Sequence, residues 1–216
     1  MQLKNTISAL GLLFICATGY HCGSNSVKDG DIVKDSIAVP GIKTDTQMVE
    51  GATVRPPIIN ITDSLIKKEW VIYVKDSAAT VTRLNEKLAE IYKNTLPNAA
   101  GAAGIVITSA PMAWYKSQGL PYFFEAGYMV DKKPSKTLPK KVLLKFIGGD
   151  SAVVAHFYGP NELIATGYEV LNNWVKDNKK KISGKPYEIY VSDPFIENDD
   201  KQNPYSVRTD IFLPHK

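Results

Sequence analysis

Two stretches of the chain show the same succession of hydrophobic patterns, displaced by 83 residues so that Trp70 falls on Val153. Each begins with a short alternating segment that predicts a strand, and continues with apolar residues at i, i+3 and i+4, which predict a one-sided helix. Two further strand-like segments follow in each. The predicted segments of the first copy are 70–75, 81–92, 104–110 and 123–130. The corresponding segments of the second copy are 153–158, 164–175, 187–191 and 207–213.

Each copy therefore predicts a β-α-β-β module, over about 67–131 and 140–216. Matched periodicity and a Ser-x-Pro tripeptide at 109–111 and 192–194 carry this interpretation, since identities in this register are few. The predicted fold class is α+β. Two such modules are expected to join their strands into one antiparallel sheet, with two helices on one face and a ligand groove on the other. The pair Gly148-Gly149 predicts a hairpin turn.

The N-terminus carries Lys4 and then an apolar run over 7–17, which is too short for an ordinary transmembrane helix. This pattern predicts a secretory signal peptide over 1–22. Cleavage after Gly19 and lipid attachment to Cys22 are both open, and the polar tether that follows Cys22 favours the lipoprotein. Either ending predicts export to the cell envelope, as a membrane-anchored lipoprotein or a periplasmic protein. A polar linker with room for one strand is predicted over 23–63, and one folded domain over 64–216.

The composition adds little to this picture but excludes some function classes. The 216 residues carry a formal net charge of +4, and their hydrophobic content of 44% is ordinary for a globular domain. The lysines are scattered, which is more typical of a solvated face than of a nucleic-acid surface. We therefore expect no nucleic-acid partner, and membrane contact only through the N-terminal lipid.

Five tracts resemble a known family. EAGYMV (125–130), HFYGP (156–160), WVKDN (174–178), GKPYEIYVSDP (184–194) and TDIFLP (209–214) resemble, in order and spacing, the GyrI-like domain, also called the AraC-type effector-binding domain. The resemblance covers residue 67 to the C-terminus. It implies a duplicated fold that binds small, often cationic or hydrophobic, ligands between its modules. An export signal takes the place of a helix-turn-helix upstream of it, so we expect no transcription-factor role.

Alternation along 187–191 divides the side chains into two sets. We expect Tyr187, Ile189 and Val191 to lie under the helices, and Glu188 and Tyr190 to lie in the groove. In the family that the chain resembles, an acidic residue at the position of Glu188 commonly lies in the ligand site. A carboxylate among aromatic rings is suited to anchor a cation or to act as a general base.

Three further aromatic residues complete the predicted ligand site: Tyr158, Trp114 and Phe124. Aromatic rings provide flat apolar walls and cation-π faces. Trp174 falls on the helical stripe and is expected in the core. His156 is expected to be structural, because no second His or Cys has ligand spacing to it. We predict no metal site, and no haem or other cofactor.

Three functions are therefore open. The leading hypothesis is an envelope protein that binds an amphipathic or cationic small molecule through Glu188 and aromatic walls. The second is a small-molecule hydrolase in which Glu188 is the general base and Tyr190 or Tyr158 orients the substrate. The third is an interaction module whose groove is filled by its own side chains, with Arg208 paired to Glu188.

Overall fold

The computed structural model describes residues 55–116, 119–192 and 203–216. The strands are β1 (Ile58–Leu65), β2 (Glu69–Ala78), β3 (Met112–Tyr115), β4 (Tyr122–Val130), β5 (Leu143–Ile147), β6 (Ser151–Tyr158), β7 (Tyr187–Tyr190) and β8 (Arg208–His215). The helices are α1 (Val81–Glu90), a π-helical turn (Ile91–Thr95) and α2 (Leu96–Ala103), which run on as one helix, and α3 (Ile164–Asp177). In this part of the chain, no helix is both long and apolar enough to cross a membrane.

All eight strands belong to one antiparallel sheet with the order β1-β6-β8-β7-β3-β4-β2-β5. The order is symmetric about the β7-β3 pair. Within each module the first strand (β2 or β6) lies furthest from the centre of the sheet, and the second strand (β3 or β7) lies at the centre. The strand that precedes each module pairs with the first strand of the other module: β1 pairs with β6, and β5 pairs with β2. This arrangement confirms the predicted duplication.

Two short connections force the sheet to curl. Between β1 and β2, and between β5 and β6, the chain makes only four Cα steps, which reach roughly 15 Å. In a flat sheet the joined strands would lie six strand spacings apart, roughly 29 Å. The two connections also bind each other, because the Ile66 amide donates to Asp150 O (3.0 Å) and the Gly149 amide donates to Ile66 O (2.8 Å).

The two helical segments cover separate halves of the same sheet face. The first helix begins after Thr80, whose Oγ1 accepts from the Arg83 amide (3.2 Å), and ends at Gly104 in the left-handed conformation (φ 69°). Its apolar side packs on β2 and β4, whereas α3 packs on β6 and β8. We call this the helix face. The opposite, helix-free face has a core of its own, formed by Val71, Tyr73, Met112, Trp114 and Tyr187.

The predicted fold class is confirmed, but two details are wrong. Residues 104–110 do not form the third element of the first module; that strand is β3, and 105–110 reaches only the far end of β4 through the Ile107–Val130 bridge. The reason is that β3 already occupies this edge of β4. Gly148-Gly149 is a crossover rather than a hairpin turn, because β5 and β6 are not paired. Strand β1 begins within the predicted linker, and the predicted signal peptide and Cys22 lie outside the described residues.

A candidate ligand site on the helix face

Strand pairing identifies the face on which Glu188 lies. Glu188 is directly opposite Ile211 of β8 and Ala113 of β3, and both of these pack in the cores under the helices. Tyr190, two residues further, lies in the same core. Glu188 and Tyr190 therefore share one face, as predicted, but it is the helix face.

The placement of Tyr187, Ile189 and Val191 under the helices was wrong. Tyr187 lies on the helix-free face, where its ring stacks on Phe212 with centroids 4.7 Å apart. Ile189 packs on the same side, and Val191 is exposed beyond the end of β7. The error arose because curling buries the helix-free face as well, so an apolar set does not identify the helix side.

Glu188 is a buried carboxylate at the centre of the sheet, between the regions covered by the two helical segments. Only 4% of the residue is exposed. Tyr168, on α3, donates its hydroxyl to Glu188 Oε1 at 2.6 Å, and the Tyr190 hydroxyl also hydrogen-bonds to the carboxylate. Among the described residues, no lysine, arginine or histidine lies within ion-pair distance of it. Its hydrogen-bond partners are thus neutral phenols.

The phenols form a chain that ends at the carboxylate. The hydroxyls of Tyr115 and Tyr190 are 2.8 Å apart. When Glu188 is ionised, Tyr190 donates its one proton to the carboxylate, and Tyr115 then donates to Tyr190. Tyr92 adds a fourth ring, in edge contact with Tyr190 at 6.4 Å between centroids. We call Tyr92, Tyr115, Tyr168 and Tyr190 the tyrosine cluster.

The π-helical turn positions Tyr92 for this role. One extra residue in a helical turn shifts the side chains around the axis, and such turns often accompany functional sites. Here Ile91 and Tyr92 are both buried by it. The Tyr92 hydroxyl donates to Met112 O at 2.8 Å, which fixes the ring against β3.

Burial dominates the electrostatics of the site. Desolvation raises the pKa of Glu188 above its ordinary value, and the hydrogen bonds from Tyr168 and Tyr190 oppose this only in part. Burial, together with the nearby carboxylate, also raises the pKa of Tyr168, Tyr190 and Tyr115. The tyrosines are therefore protonated donors, and burial disfavours the charged form of Glu188 unless a cation comes close.

The other three predicted ligand residues do not all gather here. Phe124 lies on the helix face beside Tyr115, with ring centroids 6.4 Å apart. Trp114 lies on the helix-free face, in ring contact with Tyr187 at 5.4 Å. Tyr158 also lies on the helix-free face, paired with Arg208, so its hydroxyl is directed away from Glu188.

Arg208 does not pair with Glu188. Its guanidinium makes two bonds of 2.8 Å to the Asp210 carboxylate. His156 joins this group through Nδ1, 2.8 Å from Asp210 Oδ1, and its Nε2 is 3.1 Å from Thr62 Oγ1 of β1. Both ring nitrogens of His156 thus have partners on the helix-free face. Within the described ranges, no three His, Cys, Asp or Glu side chains come together as metal ligands.

Three residues of the site were not predicted from the sequence: Tyr168, Tyr115 and Tyr92. A spacing of i, i+4 and i+7 from Ile164 does place Tyr168 and Leu171 on the buried side of α3. Tyr115 alternates with Trp114 along β3. Had β3 been predicted as the third element of the first module, Tyr115 would have been placed on the same face as Ala113, which is the helix face.

Comparison with solved structures supports this architecture. The C-terminal domain of EcmrR aligns with a TM-score of 0.59 and 17% identity, over 74% of this chain and 98% of that domain. EcmrR in a complex with DNA aligns equally well (0.59, 16% identity, 74% of this chain), and the alignment spans 57% of that protein. These structures support a GyrI-like fold. At such identities the likeness concerns the fold alone.

Three further comparisons add no weight. A hydrolase from Listeria innocua aligns over 76% of this chain and 94% of its own, at 13% identity, with a TM-score of 0.48, below the level at which we draw a conclusion. No family model matches the sequence, and no curated protein matches it.

Proposed function

We propose that this protein binds amphipathic, positively charged small molecules on its helix face, with Glu188 as the anchor and the tyrosine cluster as the walls. The observation that carries the proposal is a buried carboxylate whose only hydrogen-bond partners among the described residues are tyrosine hydroxyls. Burying a carboxylate without a cation is costly. A ligand cation would supply the missing charge, and the phenol rings would supply cation-π faces around it.

The place of Glu188 between the two halves suggests how a ligand reaches it. Tyr168 is carried by α3, whereas Tyr115 and Tyr190 belong to central strands. Movement of α3 away from the sheet would withdraw the Tyr168 hydroxyl and expose the carboxylate, while Tyr190 and Tyr115 stay fixed. The proposed binding therefore involves an opening between α3 and the first helix, with the strands as a rigid floor.

Titration of the full chain with a fluorescent lipophilic cation tests the proposal. We expect saturable binding that Glu188→Gln weakens at least tenfold, because a charged pair about 4 Å apart interacts by about 4 kcal/mol even at an effective dielectric of 20. Glu125→Gln is the matched control, since it removes a partly buried carboxylate on the helix-free face that already pairs with Lys145. Equal affinity of the Glu188→Gln variant and the wild type would refute the anchor.

Hydrolysis is the second candidate, because the same geometry suits a general base. A carboxylate whose pKa is raised by burial is a stronger base than an ordinary carboxylate, and adjacent phenols are suited to orient a substrate. Product analysis separates the two functions. A binding protein returns its ligand unchanged, whereas an enzyme consumes a reactive substrate and loses that activity with Glu188→Gln.

The proposed setting is the cell envelope, reached through the predicted signal peptide and lipid attachment to Cys22. In this setting the domain would sequester or sense amphipathic molecules that cross the envelope. The proposal assigns it no nucleic-acid partner and no cofactor.

A further inference from the structure

The helix-free face contains a second site with different chemistry. Curling of the sheet leaves a cleft of about 250 Å³ on this face, with one end formed by the two crossing connections at Ile66, Gly148 and Asp150. Trp114 and Tyr187 line its apolar part. Glu188 and the tyrosine cluster do not contribute to it.

Lys145 extends into this cleft from β5. Its Nζ lies 2.9 Å from Glu125 Oε2 and 2.9 Å from the centre of the Trp114 ring. The Tyr73 ring lies on another side, with its centroid at 4.5 Å. The side chain is only 22% exposed. An amine here is held in one place by a carboxylate and two aromatic faces.

The surroundings disfavour the charged form of this amine. Burial lowers the pKa of Lys145 to about 8, and the positive charges of Lys75 and Lys185 act in the same direction, although Glu125 opposes them. An ordinary lysine has a pKa near 10.4 and is almost fully protonated at neutral pH. Desolvation and neighbouring cations are the two means by which lysine amines become nucleophiles.

We propose that Lys145 is a nucleophilic amine that condenses with a small aromatic aldehyde or ketone held in this cleft. The Nζ lone pair attacks the carbonyl carbon, and a proton passes from nitrogen to oxygen through Glu125 to give a carbinolamine. Glu125 then takes the remaining proton from the nitrogen and delivers it to the hydroxyl group, which leaves as water, so that an imine remains. A C=N double bond replaces the C=O double bond, both amine protons leave in the water, and no oxidant or reductant takes part.

The cleft suits such a ligand in size and polarity. An apolar cavity of about 150 Å³ is enough for benzene, so the space beside Trp114 accepts one aromatic ring with a carbonyl group. The Tyr187 hydroxyl is buried and has no hydrogen-bond partner among the described residues. A buried donor of this kind is destabilising when it has no acceptor, and the carbonyl oxygen of a ligand would provide one.

Reductive trapping tests the proposal on the full chain. The protein is incubated with benzaldehyde and cyanoborohydride, and each lysine-containing peptide is quantified by mass spectrometry. Lys87 is an internal control, because it is similarly exposed (27%) and similarly paired, to Asp76 at 2.6 Å, but lies outside the cleft. We expect Lys145 to be labelled at least tenfold faster than Lys87, with a rate that saturates as benzaldehyde increases.

Two variants complete the test. Lys145→Arg keeps the charge and should abolish the fast phase, and circular dichroism checks that it folds. Glu188→Gln should be labelled like the wild type, so this result does not depend on the function proposed for the helix face. Labelling of Lys145 no faster than Lys87, or a rate that rises linearly with benzaldehyde, would overturn the proposal.

Discussion

Replacing Glu188 by glutamine should change how the stability of the protein depends on pH. Glutamine keeps the size of the side chain and an oxygen that accepts from Tyr168, but it cannot ionise. In the wild type, burial raises the pKa of Glu188 in the folded state above its ordinary value of 4.5. Between that value and the folded pKa, the folded protein binds a proton that the unfolded chain has lost. The stability of the wild type therefore falls as pH rises through this window.

The magnitude follows from proton linkage. Each pH unit inside the window removes roughly 1 kcal/mol from the free energy of unfolding, and above the folded pKa the loss stops growing. The Gln variant lacks this term. Its stability relative to the wild type should therefore increase steadily from about pH 4.5 upward and then level off.

Urea unfolding of both proteins at several pH values measures the difference directly. Taking the difference between the two proteins cancels the contributions of all groups that they share. The upper end of the rise gives the folded pKa of Glu188. A difference that stays constant from about pH 4.5 to about pH 8 would refute the reasoning, because it would mean that Glu188 ionises alike in the folded and unfolded states.

Four other substitutions test separate parts of the protein. Gly148→Ala should destabilise the fold by about 2 kcal/mol or more, because φ is +85° and a Cβ there would lie 2.0 Å from a backbone oxygen of the other crossover. Gly101→Ala is the control: this glycine has an open helical position, so the change should be neutral or stabilising by up to about 1 kcal/mol. Thermal melts compare the two variants. Tyr158→Phe should leave cation affinity unchanged in a binding titration, since this residue lies on the face opposite Glu188. Cys22→Ser should abolish incorporation of labelled palmitate in cells, and retained incorporation would contradict lipid attachment there.

The fold could be predicted because its evidence lies in periodicity. The stripes that begin at Val81 and Ile164 and the alternation near Trp70 and Val153 each identify an element without reference to its neighbours. The third strand of the first module was misplaced because a local apolar run does not show whether a partner edge is free. Residues 105–110 have strand-like composition, but β3 occupies the edge of β4 that they would need.

The site was harder to predict because alternation along a strand separates two faces but does not show which of them is covered by the helices. Tyr187 and Tyr190 are both buried, on opposite faces, so hydrophobicity alone does not indicate which is under the helices. The helix-free face is buried because the sheet curls, and the curl depends on the two connections that cross the sheet. Glu188 was assigned because it alternates with the apolar residues of its strand, and because an acidic residue at this position commonly lies in the ligand site of the family that the chain resembles. Tyr168 and Tyr115 were not assigned, since only the assembled sheet brings them to the carboxylate.

A crystal structure with a bound lipophilic monocation would show whether Glu188 is the anchor. We expect the cationic centre within about 5 Å of the Glu188 carboxylate, with rings of the tyrosine cluster around it and the Tyr168 hydroxyl withdrawn from Oε1. A cation bound instead in the cleft beside Trp114, with the bond from Tyr168 to Glu188 intact, would contradict it.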